Sequence, residues 1–212
     1  MSIVAPSPTG LDISTALSGY YVKNFIAPHE VARLLNENRL PFVLAGAHAI
    51  SVWLEEPRLT QDVDIIVLAR YHKKVVRLLT GHFPHLQAED HETVTRLRDR
   101  ESTKVLIDVM KPVEPHVKAA LKNVTSIEME KVPIKIPTLE MALTLKLAPM
   151  ISLVREYEKK LRDASDFISM VKSNPSIDLS KLTELGDLVY PGGGKEIVEK
   201  VRQVRAGERL QL

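Results

Sequence analysis

Asp62 and Asp64 stand one residue apart at the head of an apolar run, Asp62-Val63-Asp64-Ile65-Ile66-Val67-Leu68. In a strand, residues i and i+2 face the same side, roughly 6–7 Å apart. Two carboxylates at the mouth of a buried strand repel one another and lose hydration. A divalent cation between them relieves both costs, so metal binding is the first chemistry this spacing suggests. Asp108, in the apolar run Val105-Leu106-Ile107-Asp108-Val109-Met110, poses the same problem. It is satisfied either by backbone N–H groups or an Arg, or by sharing the cation of Asp62 and Asp64.

Other residues could join them. Gly46-Ala47 follows the apolar segment Pro41–Ala45 and opens a predicted helix. Free N–H groups at such a turn suit phosphate, and a glycine lets the backbone approach it closely. Lys146 lies on a helical stripe with Leu139, Ala142, Leu143 and Met150. It either snorkels to water or reaches an anion, the aspartate cluster or a triphosphate. A methionine there would suit the stripe. Asp163 and Asp166 share a helix face; pairing at the surface with Lys159 and Arg162 at i,i+4 is the plain reading, favoured for Asp163, while Asp166 could face the cleft. Arg58 contacts phosphate or anchors its loop, and Thr60 is a loop hydrogen bonder. His48, near the phosphate turn, reads as a packed or exposed histidine rather than a ligand, and the group His82, His85 and His91 has poor spacing for zinc. Trp53 reads as core.

The elements that must hold these residues follow from periodicity. Residues 1–26 read as an irregular arm rich in Pro and Gly, with a short ordered piece near Tyr20–Ile26. Residues 27–136 read as an α/β unit. It has a helix from Pro28, strands at 41–45, 62–68, 93–97 and 105–110, helices at 47–54 and 71–83, and two short strands near 126–130 and 132–136. Residues 137–212 read as a helical unit, with Thr138 as an N-cap, a long helix over 153–172, and helices near 179–189 and 195–205 separated by Pro191-Gly192-Gly193-Gly194. The fold class is therefore mixed α/β, a mixed sheet flanked by helices and followed by a helical unit.

Composition sets the outer limits. With 212 residues, 44% hydrophobic and 26% charged, the chain is of ordinary globular type. Without cysteine it has no disulfide, thiolate nucleophile or cysteine zinc site. A net charge of +2 does not by itself point to nucleic acid. No apolar run approaches ~18 residues, so no membrane partner is expected, and a cytoplasmic location fits. Nothing in the sequence sets the oligomeric state.

Taken together, the run from Val43 to Val67 resembles the nucleotidyltransferase superfamily, the fold of DNA polymerase beta. The matching elements are the strand ending at Gly46-Ala47, the helix, Asp62-Val63-Asp64 on the next strand, and Asp108 on a later one. Arg58-Leu59-Thr60-Gln61-Asp62-Val63-Asp64 resembles small bacterial members, including AbiEii-type toxin relatives. Leu145-Lys146-Leu147 and Arg162-Asp163-Ala164-Ser165-Asp166 look like the helices that follow their catalytic domain. The resemblance implies that Asp62, Asp64 and Asp108 bind Mg²⁺ or Mn²⁺, Asp108 serving as a second-metal ligand or as base. It also implies that Gly46, Ala47, Arg58 and Asp166 contact a nucleoside triphosphate such as ATP, and that Lys146 is catalytic. The activity implied is transfer of a nucleotidyl group to an acceptor hydroxyl on a small molecule, protein or RNA. Ala47 stands where relatives carry a second Gly or Ser. The alternative is a catalytically inactive module that binds nucleotide or a partner, within a toxin–antitoxin pair.

Overall fold

A computed structural model describes residues 25–56 and 59–210. The N-terminal arm up to residue 24 and Arg58 lie outside the described residues. Helix α1 (Pro28–Glu37) starts on a proline at its first position, and Glu30 accepts from the Ala27 N–H at 3.0 Å. Such an arrangement satisfies one of the orphan donors of a helix start. Strand β1 (Phe42–Leu44) leads into a short helix α2 (Gly46–Ile50) and a 3₁₀ turn over Ser51–Trp53. Then come β2 (Val63–Val67), α3 (Ala69–His82), β3 (Leu86–Asp90), β4 (Val94–Asp99) and β5 (Val105–Met110).

The five strands form one mixed sheet in the order β1-β2-β5-β4-β3. Only β2 and β5 run parallel; the other neighbours are antiparallel. Those two central strands carry the longest apolar runs because both of their faces are covered. One face, with Val63, Ile65, Ile107, Val109 and Leu97, packs on Val75 and Leu79 of α3 and on Val31 and Leu35 of α1. Strand β3 went unread in the sequence. It is an edge strand with only Leu86 buried, so it leaves no hydrophobic alternation to find.

Helix α4 (Pro115–Ala120) and the hairpin β6 (Val124–Met129) and β7 (Val132–Pro137) follow. Thr138 then caps α5 (Leu139–Ile151), its hydroxyl accepting from the Met141 N–H at 3.4 Å. Helix α5 is apolar nearly all round because it is buried from two sides. Met141 faces a cluster with Ile66 and Val117 over the second face of the sheet, while Leu143 and Leu147 face Phe167 and Val201. The long helix expected from residue 153 instead starts at Tyr157: α6 (Tyr157–Ser173) is separated from α5 by an irregular stretch, and Leu153 and Val154 stand exposed there. Helices α7 (Leu179–Gly186) and α8 (Gly193–Ala206) complete the chain. The expected glycine spacer is partly helix. A Cβ on Gly193 would lie 2.4 Å from the Gly186 carbonyl oxygen, and one on Gly194 2.3 Å from that of Thr183, so these glycines let α7 and α8 touch. Among the described residues no helix is long and apolar enough to cross a membrane.

Candidate active site

The sheet register brings the aspartates together. Asp64 lies directly beside Asp108 across the parallel pair β2–β5, and Asp108 lies opposite Arg96 on β4, which lies opposite Glu89 on β3. Side chains in one row across a sheet share a face. Asp64, Asp108, Arg96 and Glu89 therefore form a single charged row. Asp62, two residues before Asp64 and just outside β2, projects to the same side. Further along the same face, Ile66 and Met110 disappear under α4 and α5. The carboxylates emerge at the lip of that helical roof, half-buried.

Gly46 is shaped by Asp64. Its φ is +61°, and a Cβ built there would fall 1.8 Å from Asp64 Oδ2. Only glycine combines this left-handed conformation with so close an approach. The Ala45 N–H also donates to the Asp64 carbonyl at 2.8 Å, locking the turn to the strand. Ala47 is buried in the first turn of α2. Thr60 donates from its hydroxyl to Asp62 Oδ1, so the loop hydrogen bonder read in the sequence orients a site carboxylate.

Asp108 is electrostatically the odd one out. Burial pushes its carboxyl up to about 6; Arg96 opposes that shift, Asp62 adds to it, and Arg98 and His91 oppose it from further off. Arg96 Nε lies 4.0 Å from Asp108 Oδ1, which has no hydrogen-bond partner among the described residues. Arg96 and Arg98 were not singled out in the sequence, and His91 was weighed there only as a zinc ligand. The alternation in Thr95-Arg96-Leu97-Arg98-Asp99 shows that the two arginines share a face, but only the register places that face beside Asp108.

The donor set suits a hard cation. It offers carboxylate oxygens alone, and the buried Asp108 Oδ1 has capacity to spare. Among the described residues, however, no three His, Cys, Asp or Glu side chains gather closely enough to hold an ion between them. The expected sharing of one cation by three aspartates is therefore not a preformed protein cage. Mg²⁺ is commonly held by one or two carboxylates while substrate phosphates complete its shell, and this row fits that arrangement.

Lys146 has a different fate. Its Nζ donates to Asp163 Oδ1 at 2.9 Å and to Asp166 Oδ2 at 2.7 Å, and Arg155 Nη2 lies 2.7 Å from Asp163 Oδ2. All three of Lys146, Asp163 and Asp166 are buried. The surface pairing favoured for Asp163 is thus incorrect: Lys159 pairs with Glu156 instead, at 2.9 Å. Helix α6 turns its Asp-x-x-Asp face inward because α5 presents an ammonium from an otherwise apolar surface, where an unpaired charge would be costly. Trp53 is half-buried; its indole N–H donates to the Pro137 carbonyl at 3.3 Å, tying the α2 region to the start of the helical unit. His91 Nε2 lies 3.0 Å from Glu89 Oε1.

A mixed sheet with this strand order and an Asp-x-Asp strand beside a third aspartate defines a nucleotidyltransferase-type fold. Residues 32–204 match the family model described as nucleotidyl transferase AbiEii toxin, Type IV TA system, and the chain belongs to that family. No curated protein matches the chain in sequence. Among solved structures, an antigenic nucleotidyltransferase-like protein from Paracoccidioides brasiliensis is 18% identical, with 84% of this chain and 88% of that one covered and a TM-score of 0.53. The solution structure of the antibiotic-resistance factor ANT(2'')-Ia is 12% identical, with 85% and 95% covered and a TM-score of 0.52. At such identities the likeness speaks for the fold.

Proposed function

We propose that this protein transfers a nucleotidyl group from a nucleoside triphosphate to an acceptor hydroxyl, with Mg²⁺ or Mn²⁺. The observation that carries this reading is the register pairing of Asp64 with Asp108 beside a glycine turn that has no room for a side chain. Asp62 and Asp64 would hold the metal, which when bound would neutralise charge on the triphosphate. Thr60 keeps the Asp62 carboxylate turned into the site. Asp108, with a carboxyl poised near neutrality, accepts the proton of the acceptor hydroxyl. The hydroxyl oxygen forms a bond to the α-phosphorus, the bond to the bridging oxygen of the β-phosphate breaks, and pyrophosphate leaves. Arg58 remains a candidate for phosphate contact. So do the N–H groups of Gly46 and Ala47, although α2 is only five residues long and offers a weak dipole. Lys146 and Asp166 fix α5 to α6 and so hold the helical unit that roofs the site. A toxin's role for this activity is in keeping with the family. The catalytic reading is favoured over an inactive binding module because the buried Asp108 Oδ1 is kept without a hydrogen-bond partner among the described residues, at an energetic cost.

The test has two parts. Mg²⁺ plus triphosphate should raise the melting temperature by ligand linkage, and Asp64→Asn should abolish that rise without unfolding the protein. Labelled triphosphates incubated with Mg²⁺ or Mn²⁺ and cell extract should yield transferred label. An undiminished thermal response in Asp64→Asn would remove the site from residues 62–108.

A further inference from the structure

The charged row has two unlike ends. At one end the Gly46 turn abuts Asp64; at the other, beyond Asp108, stands Arg96. Adjacent strands lie about 4.8 Å apart, so Arg96 is roughly 10 Å from Asp64, with Asp108 midway. If the triphosphate occupies the Gly46–Asp64 end, the acceptor reaches Asp108 from the β4 side, where Arg96 is the first side chain it meets. This step rests on the nucleotidyltransferase reading above.

Arg96 is unusual among its neighbours. Arg98 is committed, donating to Glu89 Oε2 and to the Thr103 carbonyl at 3.0 Å. The charge of Glu89 is likewise spent on Arg98 and His91. Arg96 makes no hydrogen bond among the described residues; its nearest anion is Asp108 at 4.0 Å, past hydrogen-bond reach. Its side chain is 41% exposed, so it opens to solvent beside the third aspartate. A guanidinium offers five donors in a planar fork that fits phosphate oxygens two at a time.

We propose that Arg96 is the acceptor-reading residue, and that the acceptor carries a phosphate group close to the hydroxyl that is modified. Arg96 grips that phosphate and presents the hydroxyl to Asp108. A neutral or cationic acceptor would gain nothing from this seat. The phosphate could belong to the last linkage of an oligonucleotide or to a free nucleotide; both supply the same chemistry to Arg96.

The experiment compares the wild-type chain with Arg96→Ala, Arg96→Lys and, as a control on the opposite face of the sheet, Lys73→Ala. Four acceptors are offered with labelled triphosphate and Mg²⁺: a short oligonucleotide with a free 3′-hydroxyl, a nucleoside 5′-monophosphate, the neutral nucleoside and a cationic amino sugar. Either phosphorylated acceptor should be used in preference to the other two, and which one tells the source of the phosphate. Arg96→Ala should raise KM for that acceptor roughly tenfold or more while KM for the triphosphate stays put. Arg96→Lys should recover part of the loss and Lys73→Ala should change nothing. Preference for the neutral or cationic acceptor, or a shift confined to the triphosphate KM, would overturn the proposal. Binding of a fluorescent oligonucleotide and its competition by the monophosphate are measured in parallel. Binding that depends on Arg96 without any transfer would sink the catalytic reading and leave the anion seat standing; binding indifferent to Arg96 would sink the seat whether or not transfer occurs.

Discussion

Two acidic clusters in this protein look alike in sequence and differ in kind. Asp163 and Asp166 come with their own cations: Lys146 bridges both and Arg155 closes on Asp163, all within hydrogen-bond distance. Asp108, the third member of the other cluster, has no cation so close among the described residues. The nearest cation to Asp108 stands off at 4.0 Å, and one of its oxygens has no hydrogen-bond partner among the described residues. The first cluster is balanced and belongs to the framework that fixes α5 to α6. Asp108 is left in deficit, and a deficit of positive charge beside two further carboxylates is what a divalent cation would fill. Residue type marks a candidate site; the charge balance around it separates framework from chemistry.

Breaking the balanced cluster should have the largest effect. Lys146→Met leaves Asp163 and Asp166 buried without their shared ammonium, and loss of one partner from a buried pair costs about 3–5 kcal/mol. The stripe on α5 would accept methionine by shape, but the stripe is not where the energy lies. Denaturant unfolding checks this; a variant as stable as wild type would mean the cluster is open to water. Combining Lys146→Met with Asp163→Asn and Asp166→Asn should recover much of the loss, since the one charge then left without its partner, Arg155, is 37% exposed and can turn to water.

The unbalanced cluster should respond in the opposite direction. The Asp108 carboxyl is raised from its ordinary value to about 6. The native state therefore holds a proton on Asp108 that the unfolded chain releases at lower pH. Stability from this group is full below about 4 and falls as pH rises through 6. A rise of that size corresponds to roughly 2–3 kcal/mol at most. Without divalent metal, Asp108→Asn should stabilise the protein by up to that amount at pH 8 and change little at pH 4. Equal stability of the two proteins at pH 8 would show that Asp108 is solvated and its carboxyl ordinary.

Gly46→Ala comes next. A left-handed φ costs a side-chain-bearing residue about 1–2 kcal/mol, and here the new methyl would also push Asp64 aside. Both the melting temperature and the thermal response to Mg²⁺ plus triphosphate should fall. Loss of stability with an intact ligand response would make the glycine purely structural.

Much of this was legible beforehand, and the reasons differ by region. The central strands and the helices α1, α3 and α5 declared themselves because their burial imposes apolar runs or stripes on the sequence. Asp62, Asp64 and Asp108 stood out because a carboxylate inside such a run is expensive. Edge strand β3 and the break at Ser152–Glu156 were invisible because neither is constrained by burial. Arg96 could not be found from spacing alone, since its meaning comes from facing Asp108 across a strand pair. The inward turn of Asp163 was missed for a related reason: i,i+4 arithmetic within α6 ranks its local partners and is blind to Lys146 on another helix.

The smallest effect should come from Thr60, whose hydroxyl donates to Asp62 Oδ1. Thr60→Val keeps the shape and β-branching but removes the donor, and both groups are half-buried, so water replaces part of what is lost. The stability change should be about 1 kcal/mol or less. The consequence lies in orientation, because a carboxylate freed from its hydroxyl samples rotamers that do not face Asp64. The concentration of Mg²⁺ needed for half of the triphosphate-dependent thermal shift should therefore rise several-fold, by roughly the threefold to tenfold worth of one modest hydrogen bond. Thr60→Ser, which restores the hydroxyl, should bring it back. The same double comparison separates the two clusters once more: neither change at residue 60 should alter the stability lost in Lys146→Met, since sites with no shared partner add independently. If Thr60→Ser fails to restore the Mg²⁺ response, the methyl group rather than the hydrogen bond is what Thr60 contributes, and Asp62 is positioned by the strand alone.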